Sequence, residues 1–339
     1  MIEFKNVTMD YLADALLLAK ADYEEACLVC PALSKAKTDE SLEGLLTPLF
    51  QNGLGKLALK DGKLIGYLAF FGPWQGFHGN VTGAFSPLGG SCFASKNLSG
   101  ISKDKLSSML VSAAAEDFVE KSILQMAIST YAYDNEVGRS LVLNGFGIRC
   151  SDAIMSLDAE HPLLSEAAQN LDASITVKEV PIGDRLLLLP LNRELIRHLA
   201  KAPALFPTYL SYDNVEGDLE DPDIRYFAAY KDHTLIGYMC VKSEGENFIS
   251  NTSQTANICG AYVKEEYRSN KVAGVILSHI CDAYRQKGYP LLGVDYETLN
   301  PTALRFWTKF FTPYTYSYIR RFDERIAGYE HYFNEYFKS

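Results

Sequence analysis

The chain has no apolar run long enough to span a bilayer; its richest, Leu186-Leu187-Leu188-Leu189, stops at Pro190. Glu3 and Asp10 stand where a secretory signal needs cations and a greasy core, so no leader is expected. A cytoplasmic protein without membrane attachment is the expectation. Cations are in deficit: 32 Lys and Arg face 42 Asp and Glu, a net charge of −10 with a pI near 5.2. Sequence-independent grip on nucleic acid or anionic lipid needs clustered cations, so neither partner is expected. Organised cysteine is scarce too. The seven are scattered (Cys27, Cys30, Cys92, Cys150, Cys240, Cys259 and Cys281), and Cys27 with Cys30 makes a lone C-x-x-C. No second pair completes a zinc site and no βαβ pattern supports a dithiol enzyme. Reduced thiols with no shared chemistry, and no metal, are expected. Hydrophobic residues make up 47% and charged residues 22% of 339, which excludes collagen-like, disordered and coiled-coil classes. The length fits about two domains.

What the chain does contain is an echo of itself. Lys60-Asp61-Gly62-Lys63-Leu64-Ile65-Gly66-Tyr67 returns as Lys231-Asp232-His233-Thr234-Leu235-Ile236-Gly237-Tyr238, identical at six of eight positions. Asn135-Glu136-Val137-Gly138-Arg139-Ser140-Leu141, then Gly145-Phe146, is matched by Asn300-Pro301-Thr302-Ala303-Leu304-Arg305-Phe306, then Phe310-Phe311. The order is kept and the spacing is near half the chain, far too long for a solenoid, so a domain is duplicated.

Periodicity agrees. In the first half it predicts strands at 2–7, 56–59, 64–71, 80–85, 124–131 and 148–157, and helices at 11–29, 39–50, 103–120 and 135–143. In the second it predicts strands at 174–180, 225–230, 235–241, 257–263, 291–296 and 314–320. Helices are predicted at 184–202, broken or kinked at Pro190, and at 272–287, 301–310 and 324–337. Each half reads as a hairpin followed by strand–helix–strand–helix–strand. That is a mixed α/β (α+β) class with two domains, each a twisted mixed sheet flanked by helices. Boundaries are set at 1–158 and 173–339, with 159–172 as linker.

The segment with the most chemistry is Val263-Lys264-Glu265-Glu266-Tyr267-Arg268-Ser269-Asn270-Lys271-Val272-Ala273-Gly274, a strand end turning into a helix. Successive backbone N–H groups and the helix dipole at such a turn can hold a pyrophosphate. Val263, Tyr267, Arg268 and Ala273 resemble motif A of the GNAT acetyltransferase superfamily, V-x-P-x-Y-R-x-x-G-x-A. Glu265 replaces its Pro and Lys271 its Gly. Lys271 either loosens the phosphate fit or brings a cation to it. Downstream, Asn300, Ala303, Phe306 and Trp307 resemble the start of motif B, N-x-x-A-x-x-F-[YW], and Phe310-Phe311 stand near its closing Gly-Phe. The resemblance covers about 225–320 well and the rest of the second half loosely.

The resemblance implies acetyl transfer from acetyl-CoA to a primary amine, by direct attack in a ternary complex. It implies a V-shaped split between the fourth and fifth strands of the domain. Pantetheine would pair with Ala261, Tyr262 and Val263. The pyrophosphate would rest on Arg268, Ser269, Asn270, Lys271, Val272, Ala273 and Gly274, and Asn300 and Trp307 would contact the cofactor. The acceptor amine is unidentified. Asp295 lies where relatives often carry a carboxylate, and Glu297 shares its face because strand side chains alternate. These are the candidate catalytic residues, as base or as holders of a cationic amine; each is also an ordinary residue type for a solvated strand end. Relatives often have Tyr, the general acid, where this chain has Trp307, and an indole cannot protonate a thiolate. Tyr296, Tyr314 and Tyr316 are the tyrosines nearby, and a thiolate of pKa about 8.5 can leave unassisted. The competing expectation is a non-catalytic acyl-CoA-binding or interaction protein of the same fold. The first half has Gly89-Gly90 but no Arg-x-x-Gly-x-Gly, and is expected to be a degenerate copy without cofactor.

Overall fold

The two hairpins of the repeat form where their turn residues dictate. Asp61 and Gly62 have φ of 52° and 77°, and Asp232 and His233 have 45° and 70°. Positive φ at both central residues matches the twist of the flanking strands. The structure is a computed structural model that describes residues 1–77, 79–169, 172–205, 215–268 and 271–328.

The chain forms two compact units. Unit 1 comprises 1–29, 39–150 and 314–339, and unit 2 comprises 30–38 and 151–313. In chain order, unit 1 contains β1 (Ile2–Asn6), α1 (Leu12–Val29), α2 (Asp39–Asn52), β2 (Leu54–Lys60), β3 (Lys63–Trp74), β4 (Gly83–Ser86) and β5 (Ser91–Phe93). It continues with α3 (Lys96–Ser99), α4 (Lys103–Glu120), β6 (Gln125–Tyr131), α5 (Asn135–Leu143) and the first part of β7 (Gly147–Ser156). The rest of β7 belongs to unit 2, with α6 (Pro162–Gln169), β8 (Ile175–Val180), α7 (Leu189–Ala200), α8 (Val215–Glu220), β9 (Arg225–Lys231) and β10 (Thr234–Lys242). Then come β11 (Thr255–Val263), α9 (Val272–Gln286), β12 (Leu291–Glu297), α10 (Pro301–Trp307) and β13 (Thr312–Pro313). Last is β14 (Thr315–Arg321), which belongs to unit 1.

Three sequence readings are corrected. The boundaries fall elsewhere: the last strand, β14, pairs antiparallel with β6 from Thr315↔Tyr131 to Arg321↔Gln125, so it completes the sheet of unit 1 rather than that of the second half. Its Tyr318 and Phe322 lie in the unit 1 core with Phe70, Leu110 and Phe118. An alternating strand pattern announces a strand but not its partner. The linker 159–172 holds α6, whose Leu164 and Ala167 are buried and pack it on α9. Pro190 does not break a helix; residues 182–188 form a 3-10 turn and Pro190 sits in the first turn of α7, where its missing N–H costs nothing. Residues 324–328 form a 3-10 turn, and the remainder of the helix predicted at 324–337 lies outside the described residues. No described helix is long and apolar enough to cross a membrane.

In unit 2 the sheet has two covered faces. Phe227, Met239, Ile258, Leu292, Val294 and Tyr296 pack under α9. Tyr226, Ala228, Tyr238 and Cys240 face Leu188 and Leu191 at the start of α7.

Candidate functional site

β11 and β12 run parallel and pair at Thr255↔Leu291, Ala256↔Leu292, Asn257↔Gly293 and Ile258↔Val294. There the ladder ends, while β11 runs on to Val263 paired with β10 alone. The cause is local. Against β10 the register slips between Cys240↔Gly260 and Val241↔Ile258, which makes Cys259 an extra residue. A bulge bends its strand and increases the twist. It sits one residue past the last β11–β12 pair, so β11 swings away from β12 and a wedge opens. The wall residues Cys259, Gly260, Ala261 and Tyr262 are half-buried, between the buried Ile258 and Val263.

At the end of β11 the chain makes a short 3-10 turn at Glu265–Tyr267 and enters α9. Arg268 donates from Nε to the Val263 carbonyl at 3.0 Å, and its guanidinium lies 5.5 Å from the Tyr262 ring. Ser269 and Asn270 lie outside the described residues. Lys271 precedes α9 with φ of 59°. This left-handed conformation is the physical reason a Gly is favoured there, and Lys271 adopts it at a cost of about 1–2 kcal/mol. Its ammonium is 3.0 Å from Glu166 on α6, an exposed pair. The Val272 side chain is core, and Ala273 is half-buried against it. A Cβ on Gly274 would lie 3.3 Å from the Ala167 methyl, so this glycine serves the packing of α6 on α9. What α9 offers a ligand is its first-turn N–H groups, which have no partner within the helix.

Asn300 caps α10; its Oδ1 accepts from the N–H groups of Thr302 and Ala303 at 3.2 and 3.3 Å. The resemblance places Trp307 at the cofactor. This residue is buried with Phe311, ring centroids 5.6 Å apart, and belongs to the core under α9. Of the tyrosines considered as acid, Tyr296 is buried on the α9 face, and Tyr314 and Tyr316 belong to unit 1. The tyrosine on the wedge wall is Tyr262.

On β12, Asp295 and Glu297 follow the last pair, on the face opposite Val294 and Tyr296. Surrounding protein, then the like charges of Glu246 and Asp152, push the Asp295 carboxyl up to about 8, against Lys242. Asp295 is exposed, so water offsets part of the desolvation.

Sequence reasoning missed His198. It lies on α7, its ring 6.4 Å from Tyr262 and close enough to Arg268 and Asn300 for both to act on its titration. Burial, then the Arg268 charge, hold it below the usual histidine range; Asn300 opposes them. No local pattern marks it, because it is remote in sequence from both motifs.

Unit 1 has the equivalent parts in a closed state. β4 pairs parallel with β6 up to Ser86↔Ile128, and β5 then continues on β3 alone. The walls beyond that point, Ser91–Phe93 and Ser129–Tyr131, are buried. Lys103, the first residue of α4, holds its ammonium 3.3 Å from Asp22 and Glu25 of α1 and 3.1 Å from Asp134. Tyr133 donates to the Asp22 carbonyl at 3.1 Å. The Lys103 N–H, an orphan donor of the helix start, is taken by Glu136 at 3.0 Å. Asp134 caps α5, one residue before the Asn135 that the sequence echo aligns with Asn300.

The acetyltransferase (GNAT) family model matches residues 193–311. Two solved structures share the fold over nearly the whole chain. One is a GCN5-related N-acetyltransferase from Sphaerobacter thermophilus (15% identity, 94% of this chain and 95% of that one, TM-score 0.54). Another is a tandem GNAT protein from the clavulanic acid biosynthesis pathway (14% identity, 95% and 98%, TM-score 0.50).

The chain has a tandem GNAT fold. A GCN5-related glucosamine N-acetyltransferase region of a fungal multi-domain β-N-acetylglucosaminidase is also similar (14% identity, TM-score 0.54); the alignment covers 94% of this chain and 38% of that protein. At these identities the shared property is the fold. No curated protein matches the chain. Within the GNAT domain of unit 2, the wedge, the α9 start and the Asn300 cap fall inside the segment that the family model covers. A separate cavity of about 230 Å³ between α6 and α9 lies away from the wedge; it is bordered by Arg285, whose donors are held by Leu157, Ala159 and Asp282.

Proposed function

We propose that unit 2 is an N-acetyltransferase that moves an acetyl group from acetyl-CoA to a primary amine, and that unit 1 binds no cofactor. The observation that carries this is the wedge: a bulged β11 parts from β12 after Ile258 and ends at the start of a helix. Its fit to acetyl-CoA rests on two features, the β11 edge beyond its last β12 partner and the first-turn N–H groups of α9. Ala261, Tyr262 and Val263 would hold the pantetheine arm through their backbone. Arg268 and the N–H groups of Val272, Ala273 and Gly274 would hold the diphosphate, with Ser269, Asn270 and Lys271 beside it, and the Asn300 amide would meet the arm. When bound, acetyl-CoA supplies an activated acyl thioester.

The residues of the chain do the remaining work. Glu297, Glu246 and Asp152 make the β12 wall acidic, which favours an acceptor that arrives as an ammonium, and Asp295 adds its charge as pH rises through about 8. A proton must leave that ammonium before attack. His198 is held neutral by burial and by Arg268, so its imidazole is available as acceptor, and Asp295 with its raised pKa is the second candidate. Backbone N–H groups on the bulged stretch of β11 are the candidate donors for developing negative charge on the carbonyl oxygen.

The Trp307 indole favours a second reading, a non-catalytic acyl-CoA-binding protein, because it removes the phenol from that position. Calorimetric titration of the full chain with acetyl-CoA tests both. Binding with a stoichiometry of one, followed by thiol release with some member of an amine panel, is the expected result. No binding at millimolar acetyl-CoA overturns both readings; binding without thiol release across the panel supports the second.

A further inference from the structure

The bulge that opens the wedge also brings two thiols together. The Sγ atoms of Cys240 on β10 and Cys259 on β11 are 3.4 Å apart. In a regular ladder, side chains at successive residues point to opposite faces, so Cys259 would lie across the sheet from Cys240, which opposes Gly260. Inserting Cys259 as the extra residue turns it to the same face, where both pack with Tyr226 and Tyr238. The separation is a non-bonded contact, longer by about 1.4 Å than an S–S bond. The two differ in access: Cys240 is buried, whereas Cys259 is half-buried on the wedge wall. Nothing in the scattered cysteines of the sequence announces this contact.

The geometry points to an oxidisable dithiol at the wedge, in which a peroxide converts Cys240 and Cys259 into a disulfide bridging β10 and β11. The Cys259 thiolate attacks a peroxide oxygen; an S–O bond forms, the O–O bond breaks, and hydroxide leaves and is protonated to water. The Cys240 sulfur then attacks the Cys259 sulfenic acid; the S–S bond forms, the S–O bond breaks, and the departing oxygen leaves as a second water with the Cys240 proton. Two thiols are oxidised and one hydrogen peroxide is reduced. The order follows from access and from protonation: the hydrogen bond with Cys259, then burial, hold the Cys240 thiol well above its usual value, so Cys240 acts as the resolving partner.

The inference does not depend on the cofactor reading, and its test uses the ligand-free full chain. Hydrogen peroxide at a few molar equivalents is followed by thiol alkylation and peptide mass spectrometry. The expected result is a linked Cys240–Cys259 peptide pair, lighter by two hydrogens and restored by dithiothreitol. In Cys240→Ser the resolving thiol is gone, and dimedone should capture Cys259 sulfenic acid about tenfold more than in the parent chain. Cys259→Ser should leave Cys240 alkylatable. Both thiols remaining alkylatable after peroxide, or equal dimedone capture with and without Cys240, would overturn the proposal.

Discussion

Replacing Lys103 by Met tests whether an internal ion cluster closes the wedge of unit 1. Met keeps most of the aliphatic volume and removes the ammonium that faces Asp22, Glu25 and Asp134 at 3.1–3.3 Å. A pair at this distance is worth about 5 kcal/mol gross at an effective dielectric near 20, before desolvation. Lys103, Asp22 and Asp134 have side chains only 14%, 16% and 11% exposed, so removing the cation strands two nearly buried carboxylates. Glu25 is about half exposed and adds at most about 1 kcal/mol. The expected loss is about 3–5 kcal/mol at pH 8. It should shrink at low pH. Burial pushes Asp22 up to about 6 against the pull of Lys103, with Asp134 and Glu25 adding to the rise. A carboxyl raised in the folded state contributes stability that is present below its unfolded pKa near 4 and lost as pH rises through about 6. Without Lys103 its pKa rises further, so at pH 5 Asp22 is protonated and the variant recovers much of the deficit. Hydrogen exchange of α4 and β6 amides across pH, corrected for intrinsic rates, reads the local stability. A loss below about 1 kcal/mol, or one that is the same at pH 5 and pH 8, would refute the reasoning.

Three further outcomes are expected. Ala273→Phe should weaken acetyl-CoA binding at least about tenfold in calorimetry, because a ring beside the α9 start obstructs approach to its N–H groups; unchanged affinity would remove that turn from the site. Lys271→Gly should gain about 1–2 kcal/mol in chemical denaturation, because glycine adopts the left-handed φ of Lys271 without its steric cost, whereas β-branched Lys271→Val should lose stability; equal effects would contradict that conformation. Asp295→Asn should lower turnover more than acetyl-CoA affinity and remove the limb of the pH–rate profile near 8, whereas His198→Gln should remove a limb at lower pH; an unaltered profile in both would exclude them as proton acceptors.

Much of the local structure was legible. The helices at Lys103–Glu120 and Asn135–Leu143 form as read, because their apolar spacing and first-turn residues are contained in the segment itself. The hairpins followed from Asp-Gly and from its echo. The resemblance marked Arg268, Asn300 and the α9 start as candidates; the structure puts Arg268 on the Val263 carbonyl at the end of β11 and Asn300 on the first N–H groups of α10. The packing of Trp307 on Phe311 and of Gly274 against Ala167 was not legible, because spacing does not encode those contacts.

The sequence by itself determined the duplication, the order of strands and helices, and the turn chemistry, since each depends on residues a few positions apart. Tertiary structure decided the rest. It assigned β14 to unit 1, because strand pairing depends on which edge is free. It opened one wedge with a one-residue bulge and filled the other with Asp22 and Lys103, 81 positions apart. It set His198 beside Asn300 and Cys259 beside Cys240, contacts that exist only once distant strands and helices share a face.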